Sequence, residues 1–296
     1  MVQVRRLGHA TLTTPDLERA VRYYTDILGL SVFDKTGKRA ILGTTTGYEA
    51  IELEQGEAMS LSRLSFQVSP ATDLKDVARG LEKHGLKVEQ RSGITPGVAK
   101  AVSFKDPKGT MIDIYADYAF PPDNGKQSTI TILKLGHVAY RVHDPKGMVK
   151  FYTDVLGFRV SDWRSDSFAF LRCGVDHHTV NFVIDETQRL HHIAFEVRDW
   201  SEIHKACDFL GKNEIPLVWG PGRHNIGHNI AAYHMNPDRV RVELYTEMDQ
   251  IKDEELGYFD PRPWHGDRPQ RPKVWGPETL RNYWGFGSER DLNKNL

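Results

Sequence analysis

The stretch QRLHHIAFEV, residues 188–197, sets two imidazoles, His191 and His192, side by side in a segment that alternates like a strand. Successive side chains of a strand point to opposite faces. Ile193, Phe195 and Val197 therefore form an apolar face that His191 shares, at the core or its rim. His192 points the other way, with Ala194 and Glu196, into a polar concavity. Partners for it stand on two further strands: His137 in LGHVAY and Glu243 in RVELY. A lone strand histidine is more often a satisfied structural residue. Two histidines and one carboxylate from three strands, with coordination positions left open, are instead the ligand set that suits non-haem Fe(II) and sometimes Mn(II).

The elements that must carry these residues are visible because the chain repeats itself. Residues 7–30, LGHATLTTPDLERAVRYYTDILGL, align without gaps on residues 135–158, LGHVAYRVHDPKGMVKFYTDVLGF. In each copy a short strand leads to an aspartate, Asp16 or Asp144, placed to cap a helix, and Gly29 or Gly157 follows the last turn. A second pair matches as well: LSRLSFQV (61–68) with LHHIAFEV (190–197), and DPKGTMIDIYAD (106–117) with NPDRVRVELYTE (236–247). Four units of strand, helix and several strands thus make two similar domains. Their expected bounds are 1–117 and 131–248, joined by a Pro- and Gly-containing linker over 118–130. Residues 249–296 form a Pro-, Arg- and Trp-rich tail, expected to pack as extended chain.

The repeat also separates the halves chemically. At the positions of His137, His192 and Glu243 the N-terminal half has His9, Arg63 and Asp113. A guanidinium cannot ligate a metal and repels one, so that half is expected to lack a metal site. Of thirteen histidines, only His9 and His84 precede residue 137.

Composition narrows the partners. With 39 basic and 40 acidic residues the net charge is -1, which gives no basis for electrostatic capture of nucleic acid or an anionic membrane. Two cysteines, Cys173 and Cys207, are too few for a disulfide framework and fit a reducing cytoplasm. No apolar run approaches the ~18 residues of a membrane span, and MVQVRRLGHA lacks the core of a secretory signal. A soluble, intracellular protein acting on a small molecule is expected.

At LGH (135–137), DHHTV (176–180), LHHIAFE (190–196) and GPGRHNIGHNIAAYHMNPDRVRVELY (220–245), the sequence resembles the type I extradiol catechol dioxygenases of the vicinal oxygen chelate superfamily. The likeness spans residues 5–247. Arg239 and Val240 depart from the turn glycine usual after the proline, and the spacing from His224 to Tyr233 is long by one residue. The resemblance implies an α+β fold in which two βαβββ modules per domain curl into an open barrel around a cleft. It implies Fe(II), with Mn(II) possible, held by His137, His192 and Glu243. It further implies that His178 is the acid–base histidine beside bound dioxygen, with His177 as the competing choice because alternation lets only one face the metal. Fourteen residues before His192, His178 is placed for a hairpin of two adjacent strands to bring the two together. His224 and Tyr233 would hold the substrate or reactive oxygen. His228 and His234 are read as surface or outer residues, and Tyr245 shares the face of Glu243.

Such a protein inserts both atoms of O2 into a catechol beside its diol, giving a ring-opened semialdehyde or keto acid, and it acts as a homo-oligomer. An imidazole with a pKa near neutrality can take a phenolic proton and later return one. Trp219 replaces the arginine that the arylacetate-cleaving branch places before its GPG turn, so an uncharged ring, lined by Trp219 and aromatic residues of the tail (Trp264, Trp275, Trp284), is expected. The alternatives on the same scaffold are a non-redox glyoxalase or thiol transferase and, after it, a non-catalytic binding module. The former does not need His178, His224 and Tyr233 together, and the latter does not need two histidines and a glutamate kept on three strands.

Overall fold

A computed structural model describes residues 2–121, 128–260 and 270–285. Each expected unit is a βαβββ module. The first holds β1 (Arg6–Thr14), α1 (Leu17–Arg22, continued by a π turn Tyr23–Ile27), β2 (Ser31–Lys35), β3 (Arg39–Gly43) and β4 (Glu49–Gln55). The second holds β5 (Ser60–Gln67), α2 (Leu74–Lys83), β6 (Glu89–Thr95), β7 (Val98–Lys105) and β8 (Met111–Tyr115). The third is β9 (Ile132–Val142), α3 (Pro145–Asp154), β10 (Arg159–Arg164), β11 (Phe168–Arg172) and β12 (Val180–Ile184). The fourth is β13 (Arg189–Val197), α4 (Trp200–Lys212), β14 (Leu217–His224), β15 (Ile230–Met235) and β16 (Arg241–Thr246).

Every helix begins on an aspartate, Asp16, Asp73, Asp144 or Asp199, whose side chain accepts a first-turn backbone N–H. Gly29 and Gly157 take positive φ, 74° and 73°, where an L side chain is strained. These signals are identical in both copies, which is why both copies fold alike.

Paired modules share one sheet. The N-terminal sheet runs β2-β3-β4-β1-β5-β8-β7-β6, joined at its middle by the antiparallel β1–β5 pair. The C-terminal sheet repeats this order as β10-β11-β12-β9-β13-β16-β15-β14, centred on antiparallel β9–β13. The main apolar core draws on both halves, whose buried residues are in contact within it, and two smaller clusters lie apart from it. Phe66 meets Phe158 and Tyr24 meets Phe195 edge to face, and Tyr23 hydrogen-bonds His234 at 2.5 Å across the halves.

The tail adds a hairpin, β17 (Gln250–Asp253) with β18 (Tyr258–Asp260), then two short strands, β19 (Lys273–Trp275) and β20 (Asn282–Gly285). β19 extends the C-terminal sheet at β10 and β20 extends it at β14, so residues 276–281 cross from one edge of the curled sheet to the other. Residues 122–127 of the expected linker and Trp264 of the tail lie outside the described residues. No described helix is long and apolar enough to cross a membrane.

Candidate active site

Three central strands of the C-terminal sheet present one residue each to its concave face. On β13, Ile193, Phe195 and Val197 enter the core, while Ala194 packs on the other side with Tyr233 and Tyr245, as alternation requires. His192 shares the face of Ala194. On β9, His137 stands opposite Ala194, and on β16 Glu243 pairs with Ala194 from the other flank. One small residue at the centre of three strands therefore leaves room for three ligating side chains around it.

The three converge. His137 Nε2 lies 3.1 Å from His192 Nε2 and 3.1 Å from Glu243 Oε2, and His192 Nε2 lies 3.2 Å from the same oxygen. All three side chains are buried, and they are the one His/Cys/Asp/Glu group among the described residues whose ligand atoms gather this closely. Three adjacent ligands of an octahedral ion, each roughly 2.1 Å from it, sit about 3 Å apart, so the residues fit a divalent metal. Burial, then the neighbouring His191 and His137, push the His192 pKa well below the ordinary range, which favours the neutral ligand form. Burial alone would raise the Glu243 carboxyl, but His137 beside it and hydrogen bonds to it hold it lower.

Outer contacts orient these groups. Asn229 Nδ2 donates to Glu243 Oε1 at 2.8 Å, and His191 Nδ1 lies 2.6 Å from His192 Nδ1. The Tyr245 ring backs the His137 ring at 5.2 Å. Here the expectation for His191 fails. A bulge between Leu190 and His192 inserts one extra residue into β13, and this re-aims His191 from the core rim into the cleft. Burial, then Arg241 and Arg141, lower its pKa to about 3.

His178 lies just before β12, its ring 4.3 Å from that of His137. β12 and β13 are not adjacent, as the hairpin expectation had it. β9 lies between them, and His178 reaches the centre because β12 runs parallel beside β9. Of the two candidates His178 faces the cleft, whereas His177 turns behind it to meet Asp162 at 3.1 Å. Burial and four neighbouring imidazoles, His137 foremost, push the His178 pKa well down.

His224, at the end of β14, and Tyr233, on β15, close the opposite side, with His224 Nε2 and Tyr233 Oη 2.9 Å apart. Trp219 stacks on His224 with ring centroids 4.6 Å apart. His228 and His234 are not surface residues. Both are buried, His228 2.7 Å from Asp249 and His234 against Tyr23.

Together these groups line a cleft of about 730 Å³ whose walls also include Phe168, Phe170 and Val183. Trp219 lines it as expected, but Arg141, Arg164, Arg241 and Arg281 also face it, which an uncharged ring does not call for. Arg141 is paired with Asp185, while Arg164, Arg241 and Arg281 have no carboxylate partner among the described residues. Among the described residues the tail contributes Pro277, Leu280 and Arg281 to the cleft and no aromatic ring. Trp275 instead hydrogen-bonds Asp162, and Trp284 packs on Trp200. Sequence reasoning missed Asn229, Asp162 and the arginines; no repeat or spacing singled them out.

In the N-terminal half the equivalent place is filled by ion pairs. Arg63 and Arg91 lie 3.4 Å and 3.1 Å from Asp113, and His9 accepts or donates to Ser65 at 3.0 Å.

The chain is 26% identical over 302 residues to the manganese-dependent 2,3-dihydroxybiphenyl 1,2-dioxygenase of Geobacillus genomosp. 3, covering 93% of this chain and 95% of that protein. It is 28% identical over 296 residues to the 2,2',3-trihydroxybiphenyl dioxygenase of Sphingomonas paucimobilis, covering 94% and 98%. Among solved structures, the Mn(II)-bound glyoxalase from Novosphingobium aromaticivorans superposes with a TM-score of 0.85 at 22% identity, over 98% of this chain and 94% of that one. Residues 6–114 and 134–244, the four modules of the fold, match the model of one family, and the chain belongs to that family, the Glyoxalase/Bleomycin resistance protein/Dioxygenase superfamily.

Proposed function

We propose that this protein is an extradiol ring-cleaving dioxygenase: it inserts both atoms of O2 into a catechol beside the diol and releases a ring-opened semialdehyde or keto acid. The observation that carries the reading is the triangle of His137, His192 and Glu243 ligand atoms at the floor of a cleft whose walls hold His178, His224 and Tyr233. The two dioxygenases similar to it over nearly their whole length support the same chemistry. A divalent ion held by the three residues would supply a chelation point for the diol and an electron path between diol and O2. We assign Fe(II) to that site, with Mn(II) as the alternative.

The chain's own residues do the rest. Phe168, Phe170 and Trp219 offer apolar faces to an aromatic ring. His178, kept neutral by burial, is placed to take a phenolic proton and to return a proton later. Tyr233, whose pKa burial pushes well up, stays a donor, and with His224 it can hold an oxygen that gains charge during cleavage. The guanidiniums of Arg164, Arg241 and Arg281 favour a ring substituent that accepts hydrogen bonds, a hydroxyl or a carboxylate, over a purely aliphatic one.

Protein reconstituted anaerobically with Fe(II) or with Mn(II) is mixed with catechol, 3-methylcatechol, 2,3-dihydroxybiphenyl or homoprotocatechuate, and air is admitted. Equimolar oxygen uptake and a yellow product are expected. Metal binding without oxygen uptake would instead select the non-redox alternative, a glyoxalase or thiol transferase on the same scaffold.

A further inference from the structure

Behind His178 runs a chain of buried polar contacts that binding a metal and a ring does not require. His178 Nδ1 lies 3.0 Å from His177 Nδ1, and His177 Nε2 lies 3.1 Å from Asp162 Oδ2. Asp162, on β10, also accepts Trp275 Nε1–H on Oδ2 and the Lys273 backbone N–H on Oδ1, each at 2.9 Å. His178, His177 and Asp162 are 4%, 1% and 7% exposed, so water does not substitute for these bonds. Gly227, at φ 78°, closes over the pair: a Cβ there would lie 3.1 Å from His177 Nδ1 and 3.3 Å from His178 Nδ1.

The protons follow from the chemistry of the groups. A carboxylate only accepts, so His177 must present Nε2–H to it. A neutral His177 then has a bare Nδ1, and the bond between the two Nδ1 atoms exists only if His178 donates from its own Nδ1. That leaves the Nε2 lone pair of His178 bare, on a ring that lines the cleft.

We propose that Asp162 and His177 are positioning residues that hold His178 in this tautomer, and that the tail strand β19 completes the arrangement by fixing Asp162. This rests on the reading of His178 as the base. When His178 takes the substrate's proton on Nε2, its Nδ1–H stays bonded to His177, and Asp162 faces the resulting charge through that ring. The tail, 113 residues away in sequence from Asp162, thereby becomes part of the acid–base apparatus without touching the substrate.

Long-range proton–nitrogen NMR of the histidine rings, on the full chain prepared without metal, reads the tautomers directly and does not depend on the reaction. The expected spectrum has His178 protonated on Nδ1 alone and His177 on Nε2 alone. In His177→Phe and Asp162→Ala, His178 should shift toward the Nε2–H form. On catechol, the same variants loaded with metal should lose roughly 10–100-fold in kcat, part of the ~10²–10⁴ that a positioned acid–base group supplies, with KM little changed. Asp162→Asn, which keeps an acceptor for His177, should recover most of the loss relative to Asp162→Ala, and Trp275→Phe should show a smaller loss of the same kind. A wild-type His178 carrying its proton on Nε2, or on both nitrogens at neutral pH, overturns the proposal. So does a His177→Phe variant that binds metal and keeps full kcat. If the wild type cleaves no catechol, the function is wrong, and the NMR result still decides the tautomer.

Discussion

Arg63 and His192 occupy the same register position in two copies of one strand: Arg63 stands opposite Thr11 of β1, and His192 stands opposite Ala139, the matching residue of β9. Across the sheet each faces a carboxylate in the matching place, Asp113 or Glu243. A guanidinium satisfies its carboxylate as an ion pair, whereas an imidazole leaves lone pairs to share. His192→Arg, which makes the later half like the earlier one, should therefore abolish metal binding, a larger effect than the ~10–100-fold typical of losing an outer contact. Metal analysis after reconstitution measures it, and stoichiometric metal in the variant would refute the ligand assignment.

Tyr233 and His224 hydrogen-bond each other and carry no metal. Tyr233→Phe and His224→Phe are expected to retain the metal and the fold but lower kcat by about 100-fold, the scale of losing one preorganised donor. Steady-state oxygen consumption beside metal content checks this. A change confined to KM would reduce the pair to ground-state binding.

His234 joins the halves and should make stability depend on pH. Burial lowers its folded pKa to about 4, while in the unfolded chain it titrates near its ordinary ~6.5. The unfolded state thus binds the extra proton first as pH falls. The stabilisation is complete above about pH 6.5 and diminishes toward pH 4, by about 3 kcal/mol. His191, lowered to about 3, adds in the same direction. Urea unfolding at pH 7 and pH 4.5 should give a smaller difference for His234→Gln than for the wild type. Equal differences would mean that His234 does not titrate with unfolding.

Gly136 precedes His137, and a Cβ on it would run into the Tyr245 hydroxyl and ring. Gly136→Ala should displace the ring that backs His137, costing about 1–3 kcal/mol of stability and weakening metal binding. Gly8, its counterpart, meets Tyr115 and Glu49 in the same way. Gly8→Ala should destabilise the protein while leaving metal affinity alone. Thermal melts and metal titrations of the two variants separate the effects.

Much of this molecule was legible in its sequence because it is written twice. The duplicated Leu-Gly-His, the aspartate caps and the glycine stops define the modules, and strand alternation brings His192 to the face of Ala194. What escaped is what alternation cannot encode. The bulge at His191 breaks the period of two, so parity sends that ring to the wrong side. The order β12-β9-β13 inserts a strand between His178 and His192, because parallel pairing obeys module topology and not sequence distance. The bond from Trp275 to Asp162 joins distant segments whose only shared property is that they meet in space.

The crossing made by residues 276–281 has a consequence beyond roofing the cleft. By lying on β10 and β14, the tail supplies partners to backbone groups that would otherwise end the C-terminal sheet at naked borders. The N-terminal sheet has no such cover on β2 and β6 among the described residues. A proteolytic nick within residues 276–281 would therefore loosen two protected borders at once, turning that half of the molecule into adhesive surface.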